Sequence, residues 1–380
     1  MDFMFRRQLW KHKIENAWEK APICWLSGVR RVGKTTLSQE FESARYVNCD
    51  LPGSVRALED PEVFFSNLEQ RQVIFDEIHR LPDPSLVLKI AADEFKHLKV
   101  LATGSSTLAA TEKFRDSLTG RKRLVRLTPV LYEELPEFGI EDLQSRLLKG
   151  GLPPALLSSE HDLEFYAEWM DSFYSRDVQE LFKVEKRSAF LKLFETVLRN
   201  SGGMADMTSL SKHTSLSRPT VLNYIDVLEI SQALHILRPY AAGGRREILA
   251  QPKIYGFDTG FVAFARGWSD LRAEDCGNLW EHLVLDTLLS ISKILKIQFW
   301  RDKQQREIDF VVPQGRQGVD AIECKWNIKN FETRNLKAFR ENYNRGRNFV
   351  VSPMVQERYT ISKDGLDIAF VGLQDVRGFY

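Results

Sequence analysis

The sequence predicts an α/β protein in two parts, a parallel-sheet core near the N-terminus and a smaller α/β domain at the C-terminus, with a mostly helical stretch between them. Three observations predict this. An apolar run, a glycine-rich turn and a helix start succeed one another in WLSGVRRVGKTTL, residues 25–37. A second run, Val73 to Phe75, is apolar on both faces, as a parallel strand between helix layers should be, and ends in Asp76-Glu77. Near the C-terminus an amphipathic helix precedes three strand-like segments, the last of which carries Glu323 and Lys325.

Composition sets the bounds. At 380 residues the chain is long enough for two to three domains with separate cores. Its 43% hydrophobic and 28% charged content is that of ordinary soluble protein, and no apolar run approaches the roughly 18 residues of a membrane span, so no membrane partner is expected. Cys24, Cys49, Cys276 and Cys324 are far apart and form no C-x-x-C pair, which points away from a zinc cluster or a disulfide framework and towards a reducing cytoplasm. The net charge of +1 means that a nucleic-acid partner would be met by local basic patches, of which Arg121, Lys122, Arg123 and Arg126 form one and Arg245-Arg246 another.

Residues 5–20 read as an amphipathic helix leading into a buried strand at residues 23–26. The next stretch has the pattern G-x-x-x-x-G-K-T, a phosphate loop comprising Gly28, Val29, Arg30, Arg31, Val32, Gly33, Lys34, Thr35 and Thr36. Glycines are needed because the loop wraps closely around a phosphate with its N–H groups pointing inward. Lys34 would reach the phosphates of ATP, Thr35 would ligate Mg²⁺, and the following helix would turn its positive end to the anion. A short strand at residues 44–49 and a helix over residues 54–70 come next. Asp76 then stands at a strand's carboxyl end, where open α/β sheets bind ligands, to hold Mg²⁺ with Thr35. Glu77 would polarise the attacking water. A third strand, residues 99–102, ends in Thr103-Gly104-Ser105-Ser106; Ser105 is a candidate nucleotide-binding residue, and either serine also suits a helix cap. Arg121, ahead of the extended LVRLTPV, is the candidate arginine finger acting across a subunit boundary.

The succession SGVRRVGKTTL, YVNCD, VIFDEIHR, LATGSS, LTGRKRLVRLTPVLYEEL and KGGLPPAL resembles the prokaryotic AAA+-type ATPases that carry an AAA domain followed by a domain of unknown function, with relatives among archaeal ATPases of the STAND-like branch. The resemblance implies that Gly28, Gly33, Lys34, Thr35, Asp76 and Glu77 are nucleotide-site residues. It also implies an AAA+-type P-loop core over residues 1–140 and a helical lid over residues 141–200, a stretch that is helical by periodicity but interrupted at Gly150-Gly151 and Pro153-Pro154. Arg176-Asp177 resembles a recurrent pair of that family.

From Thr208 the text predicts a helix at residues 208–213, a turn, and a second helix capped by Ser217 with Pro219 in its first turn. Strands at residues 233–240 and 248–257 then flank AAGGRRE. This is a winged helix over residues 201–265, used for DNA or for protein contacts. In the DNA reading Arg218, Thr220, Asn223 and Tyr224 face a groove, and Arg245 and Arg246 on the wing contact phosphates.

Residues 278–290 form an amphipathic helix carrying Glu281, followed by strand-like IQFWRD, REIDFVVP and VDAIECKWN. Glu323 and Lys325 are two apart and share one face of a strand, and hairpin pairing brings Asp309 beside Glu323. This set resembles the PD-(D/E)xK restriction-endonuclease-like fold, assigned to residues 266–380, although Ile308 stands where that family has its leading proline. The resemblance implies that Glu281, Asp309 and Glu323 hold Mg²⁺ and that Lys325 orients the nucleophile.

The expected protein is therefore an ATPase acting on duplex or branched DNA, with Glu77, Arg121, Asp309, Glu323 and Lys325 in catalytic roles. It would use ATP and Mg²⁺ and assemble as a homo-oligomer, a hexameric ring being one form. The competing expectations are a nucleotide-driven switch that binds a partner protein and an ATP-gated defence or toxin nuclease.

Overall fold

The computed structural model describes residues 6–104, 118–179, 182, 184, 186–241, 251–291 and 296–380. The chain forms two compact units. The first comprises residues 1–128, 171–183 and 230–232, and the second takes the remainder.

In the first unit α1 (Gln8–Lys20) leads into β1 (Ile23–Ser27), α2 (Lys34–Gln39) and β2 (Arg45–Asn48). Two short helices, α3 (Pro52–Ala57) and α4 (Pro61–Ser66), stand where one longer helix was expected. The break is local: Asp60 caps α4 by accepting from Val63 N–H at 3.1 Å, and Pro61, lacking a donor, can only start a helix here. Then come β3 (Gln72–Asp76), α5 (Pro84–Glu94), β4 (Lys99–Thr103) and β5 (Lys122–Arg126). The strands pair in parallel in the order β2-β3-β4-β1-β5. The three central strands are buried on both faces, which is why they read as unbroken apolar runs. Helix α1 packs on β1, β4 and β5, and Trp18 fixes it by donating its indole N–H to the Val100 carbonyl at 2.9 Å. Since all five strands run the same way, the loops after β1, β3 and β4 emerge at one edge, and that edge carries Gly28, Asp76 and Thr103.

The second unit opens with α6 (Leu143–Lys149), α7 (Pro153–Leu156) and α8 (Leu163–Phe173), which passes into a π-helical turn, Tyr174–Gln179. The stretch expected as a single lid is thus divided, because residues 171–183 belong with the first unit. Its last part, α9 (Arg187–Arg199), packs on α10 (Met207–Thr214) and on strand β8 below. Between α9 and α10 lies β6 (Gly203–Met204); after α10 come α11 (Arg218–Ile230), β7 (Leu234–Leu237) and β8 (Lys253–Gly256), in a small antiparallel sheet ordered β6-β8-β7.

Helices α12 (Thr259–Arg266) and α13 (Ala273–Ile291) lead to a six-stranded mixed sheet. Its strands are β9 (Gln298–Arg301), β10 (Glu307–Pro313), β11 (Val319–Cys324), then, after α14 (Arg334–Asn342), β12 (Asn348–Val351), β13 (Tyr359–Lys363) and β14 (Leu366–Val371). They are ordered β13-β14-β12-β11-β10-β9, with β11 parallel to β12 and antiparallel to β10. Alternation along the strands feeds two cores. Phe310, Val312 and Ile322 join Trp280 and Leu283 of α13, while Val311, Val319 and Ala321 join Leu336 and Phe339 of α14. Trp280 also donates its indole N–H to the Val351 carbonyl at 3.0 Å. Among the described residues no helix is long and apolar enough to cross a membrane.

Candidate nucleotide site and carboxylate cleft

The phosphate loop joins β1 to α2. A Cβ on Gly28 would lie 2.7 Å from the Leu127 carbonyl oxygen, so no larger residue fits there, and Gly33 is left-handed at φ 98°. Lys34 donates to the carbonyls of Gly28 and Val29 at 2.8 and 3.1 Å. Burial holds its ammonium below the ordinary lysine value, with Glu77 and Asp177 opposing that shift. The Asp76 carboxylate gathers three hydroxyls, from Thr35 at 2.8 Å, Tyr46 at 2.6 Å and Thr103 at 2.5 Å. Thr103 accepts in turn from the Glu77 N–H at 3.0 Å, so one side chain of β4 orients both acids. Glu77 is left-handed, at φ 55°, and its carboxylate lies 3.1 Å from His79 Nδ1. Burial pushes its carboxyl up, but the His79 bond and the Lys34 charge pull harder and leave it below the usual carboxylate range. Glu77 is thereby kept as a base rather than an acid.

This donor set fits a magnesium–nucleotide group. Thr35 and Asp76 are a hydroxyl and a carboxylate in contact at the sheet edge, with a loop amine and two flanking glycines beside them. Arg30 donates through Nε to Asp177 at 3.1 Å, while Ser105 lies outside the described residues. Arg121 corrects expectation in its surroundings. It precedes β5, at the opposite edge of the sheet from the loop, and binds Asp93 at 2.6 and 3.0 Å, so acting on a neighbour's phosphate would require breaking that pair.

On α11, Arg218 and Asn223 are exposed and Thr220 is half-buried, its hydroxyl 2.7 Å from that of Ser217. Tyr224 contradicts expectation. It is 5% exposed and packs edge-on against Phe190, because it shares with Val221, Ile225 and Leu228 the stripe that faces the core. Arg245 and Arg246 lie outside the described residues.

The C-terminal acids line or underlie a cleft of about 760 Å³ bounded also by Glu274, Trp326, Asn330 and Met354. The β10–β11 register, Phe310 opposite Ile322, runs on to set Asp309 opposite Glu323. Asp309 accepts from the Cys324 N–H at 2.7 Å, and Lys325 reaches Glu323 at 2.7 Å and Asp309 at 4.0 Å. Glu281 is taken by Lys253 at 3.3 Å and by the Tyr255 hydroxyl, and Lys253 also reaches Glu307 at 2.5 Å. Burial, reinforced by the Asp309 charge, raises Glu281 and Glu323 to about 7. Burial pulls Lys253 and Lys325 down, but Glu281, Asp309 and Glu307 around the first, and Asp309 and Glu323 around the second, leave both above the ordinary lysine value. Among the described residues no three His, Cys, Asp or Glu side chains group as metal ligands, so Glu281, Asp309 and Glu323 stand here in their protein-only contacts. Lys253 and Lys325 supply positive charge to Glu281 and Glu323, and the Tyr255 hydroxyl donates a hydrogen bond to Glu281. One oxygen fits a cation nonetheless, since Glu323 Oε1 is buried with no hydrogen-bond partner.

Comparison with known proteins bears on the first unit. Residues 20–136 match the AAA domain model. The chain thus carries an AAA-type, ATP-binding P-loop domain, with ATPase activity as its supported chemistry. Residues 140–272 and 276–370 match two models described only as domains of unknown function, DUF8612 and DUF4143. An uncharacterised protein of Mycobacterium tuberculosis is 28% identical over 312 residues, covering 79% of this chain and 69% of its own. One from Methanocaldococcus jannaschii is 26% identical, covering 60% and 59%, and one from Haemophilus influenzae is 20% identical, covering 91% and 92%. Among solved structures, AMPPCP-bound DnaA from Aquifex aeolicus overlaps with a TM-score of 0.29 at 15% identity, over 58% of this chain and 86% of DnaA. The Thermococcus gammatolerans McrB AAA+ hexamers with bound McrC overlap at 0.21 and 11%, over 47% and 46%. Overlaps that loose carry no argument about this chain.

Around the AAA-type domain's acids, sequence reasoning missed Tyr46 and His79. The second was within reach, two residues past Glu77 in DEIH. Lys253, Tyr255 and Glu307 had no such signal, because only tertiary contacts bring Lys253 and Tyr255 of β8 to Glu281 of α13 and Glu307 of β10 to Lys253.

Proposed function

We propose that the chain is an ATP-dependent DNA-processing protein in which the AAA-type ATPase drives a winged-helix module and a magnesium-dependent, nuclease-like cleft on duplex or branched DNA. The observation that carries the DNA reading is the convergence of Glu281 from a helix with Asp309 and Glu323 from two paired strands, and Lys325 just past the second, on one cleft. The succession of α13, three antiparallel strands, α14 and parallel β12 supports a restriction-endonuclease-like domain, and the succession α9, β6, α10, α11, β7, β8 supports a winged helix beginning earlier than residue 201. A homo-oligomer, such as a hexameric ring, is the assembly this reading expects.

In the ATPase step the loop N–H groups and Lys34 bind phosphate, Thr35 and Asp76 fix the geometry, and Glu77 accepts the proton of the attacking water. In the cleft, Lys325 orients a nucleophile held against Asp309 and Glu323. Magnesium bound at either site would neutralise phosphate charge and lower the pKa of a coordinated water.

The test uses two variants of the full chain. Lys34→Ala should abolish nucleotide hydrolysis, and Asp309→Ala should leave hydrolysis intact while removing cleavage of duplex or branched DNA. Hydrolysis that no DNA stimulates, together with no cleavage by the wild type, would sink the DNA reading. It would leave the second reading, a nucleotide-driven switch with a protein partner, which Asp226 and Glu229 on the exposed face of α11 favour.

A further inference from the structure

Arg30 occupies the third position of the phosphate loop, and its guanidinium is held from outside the loop by Asp177, Nε to Oδ2, at 3.1 Å. Both side chains are largely buried, at 27% and 20% exposure. Asp177 stands in the π-helical turn Tyr174–Gln179, and π turns inside helices recur at functional sites. That turn belongs by its contacts to the ATPase unit, although the chain up to Met170 and from Val184 belongs to the second unit. The Asp177 charge also reaches Lys34, where it opposes the effect of burial. A single carboxylate thus acts on two cations of the loop, the two groups that a nucleoside triphosphate would engage through its phosphates. The other candidate arginine, Arg121, is bound to Asp93 at the opposite sheet edge.

We infer that Arg30 is a phosphate-binding residue supplied by the chain's own loop, and that Asp177 competes with the phosphates of a nucleoside triphosphate for it. A guanidinium pairs with carboxylate and phosphate through the same N–H donors, so occupancy by one weakens the other. The inference rests on the ATP-binding reading of the loop and adds to it a built-in competitor. Nucleotide entry releases Asp177 and with it the π-helical turn.

The experiment is calorimetric titration of magnesium ATP into the full-length wild type, Asp177→Asn, Arg30→Gln and the double variant. Asp177→Asn should bind about five-fold tighter, the factor that a partly exposed ion pair is worth. Arg30→Gln should bind at least five-fold weaker, and on that background the gain from Asp177→Asn should fall to the smaller part that acts through Lys34. Equal or weaker binding by Asp177→Asn overturns the inference, as does a gain that is undiminished without Arg30. Should Asp177→Asn not fold, unchanged affinity in Arg30→Gln overturns it alone. A wild type that binds no nucleotide overturns the ATP reading as well, whereas a wild type that binds without the predicted gain overturns only this inference.

Discussion

His282 shows how one residue ties pH to the stability of the second unit. It is 2% exposed, its Nε2 lies 3.1 Å from the Ser201 hydroxyl, and that hydroxyl accepts from the Gly256 N–H at 2.6 Å. Burial, with the Arg266 charge behind it, pushes the imidazole down to about 3, against 6.5 when free. The unfolded chain therefore binds a proton between pH 6.5 and 3 that the folded chain refuses, and stability is lost as pH falls through that window. The full effect of such a shift is up to roughly 4–5 kcal/mol. Denaturant unfolding from pH 7.5 to 4.5 should show a steeper acid loss in the wild type than in His282→Gln. Parallel curves would mean that His282 is charged, or hydrated, in the folded state. Thr103 has comparable reach on the functional side, since its hydroxyl fixes both Asp76 and Glu77.

At the scale of elements, α11 separates what periodicity reveals from what it hides. Its buried stripe, Val221, Tyr224, Ile225 and Leu228, follows helical spacing, so the sequence itself assigns Tyr224 to the core side of the helix and not to the groove face. The exposed face carries Arg218 and Asn223 but also Asp226 and Glu229. If that face lies on DNA, Asp226→Asn with Glu229→Gln should tighten duplex binding several-fold at low salt, because two anions leave the phosphate field. Tyr224→Phe should not change binding. Anisotropy titrations at low and physiological salt decide, and an unchanged affinity in the double variant removes α11 from the DNA interface. Strands β1, β3 and β4 were legible because burial on both faces leaves apolar runs. The hairpin of β13 and β14 was not, since β13 is exposed along nearly its whole length and carries no alternation. Helix α9 was legible as a helix, but its partners were not, because packing on α10 and β8 is a tertiary fact.

At the scale of the whole molecule, sequence order and structural units disagree. The AAA match runs over residues 20–136, of which residues 129–136 belong to the other unit, yet the unit that holds it as far as Thr128 draws in residues 171–183 and 230–232 from far along the chain. Those segments are integral to the unit. Phe173, Tyr174 and Val178 are at most 2% exposed, Asp177 binds Arg30, and Gln232 donates to the Ser27 hydroxyl at 3.0 Å, one residue before the loop's first glycine. Nothing in the linear text marks this return, since an amphipathic helix does not name the surface it will cover. A fragment of residues 1–140 should therefore expose apolar surface and lose several kcal/mol, on the order of 2 for each large side chain stripped of its burial. It should unfold or aggregate at temperatures where the full chain is stable, and it should recover when residues 171–183 are supplied as a peptide. Thermal unfolding with and without that peptide checks this, and a fragment that melts as a cooperative unit at the full chain's temperature would show that the ATPase core is complete without the returning segments.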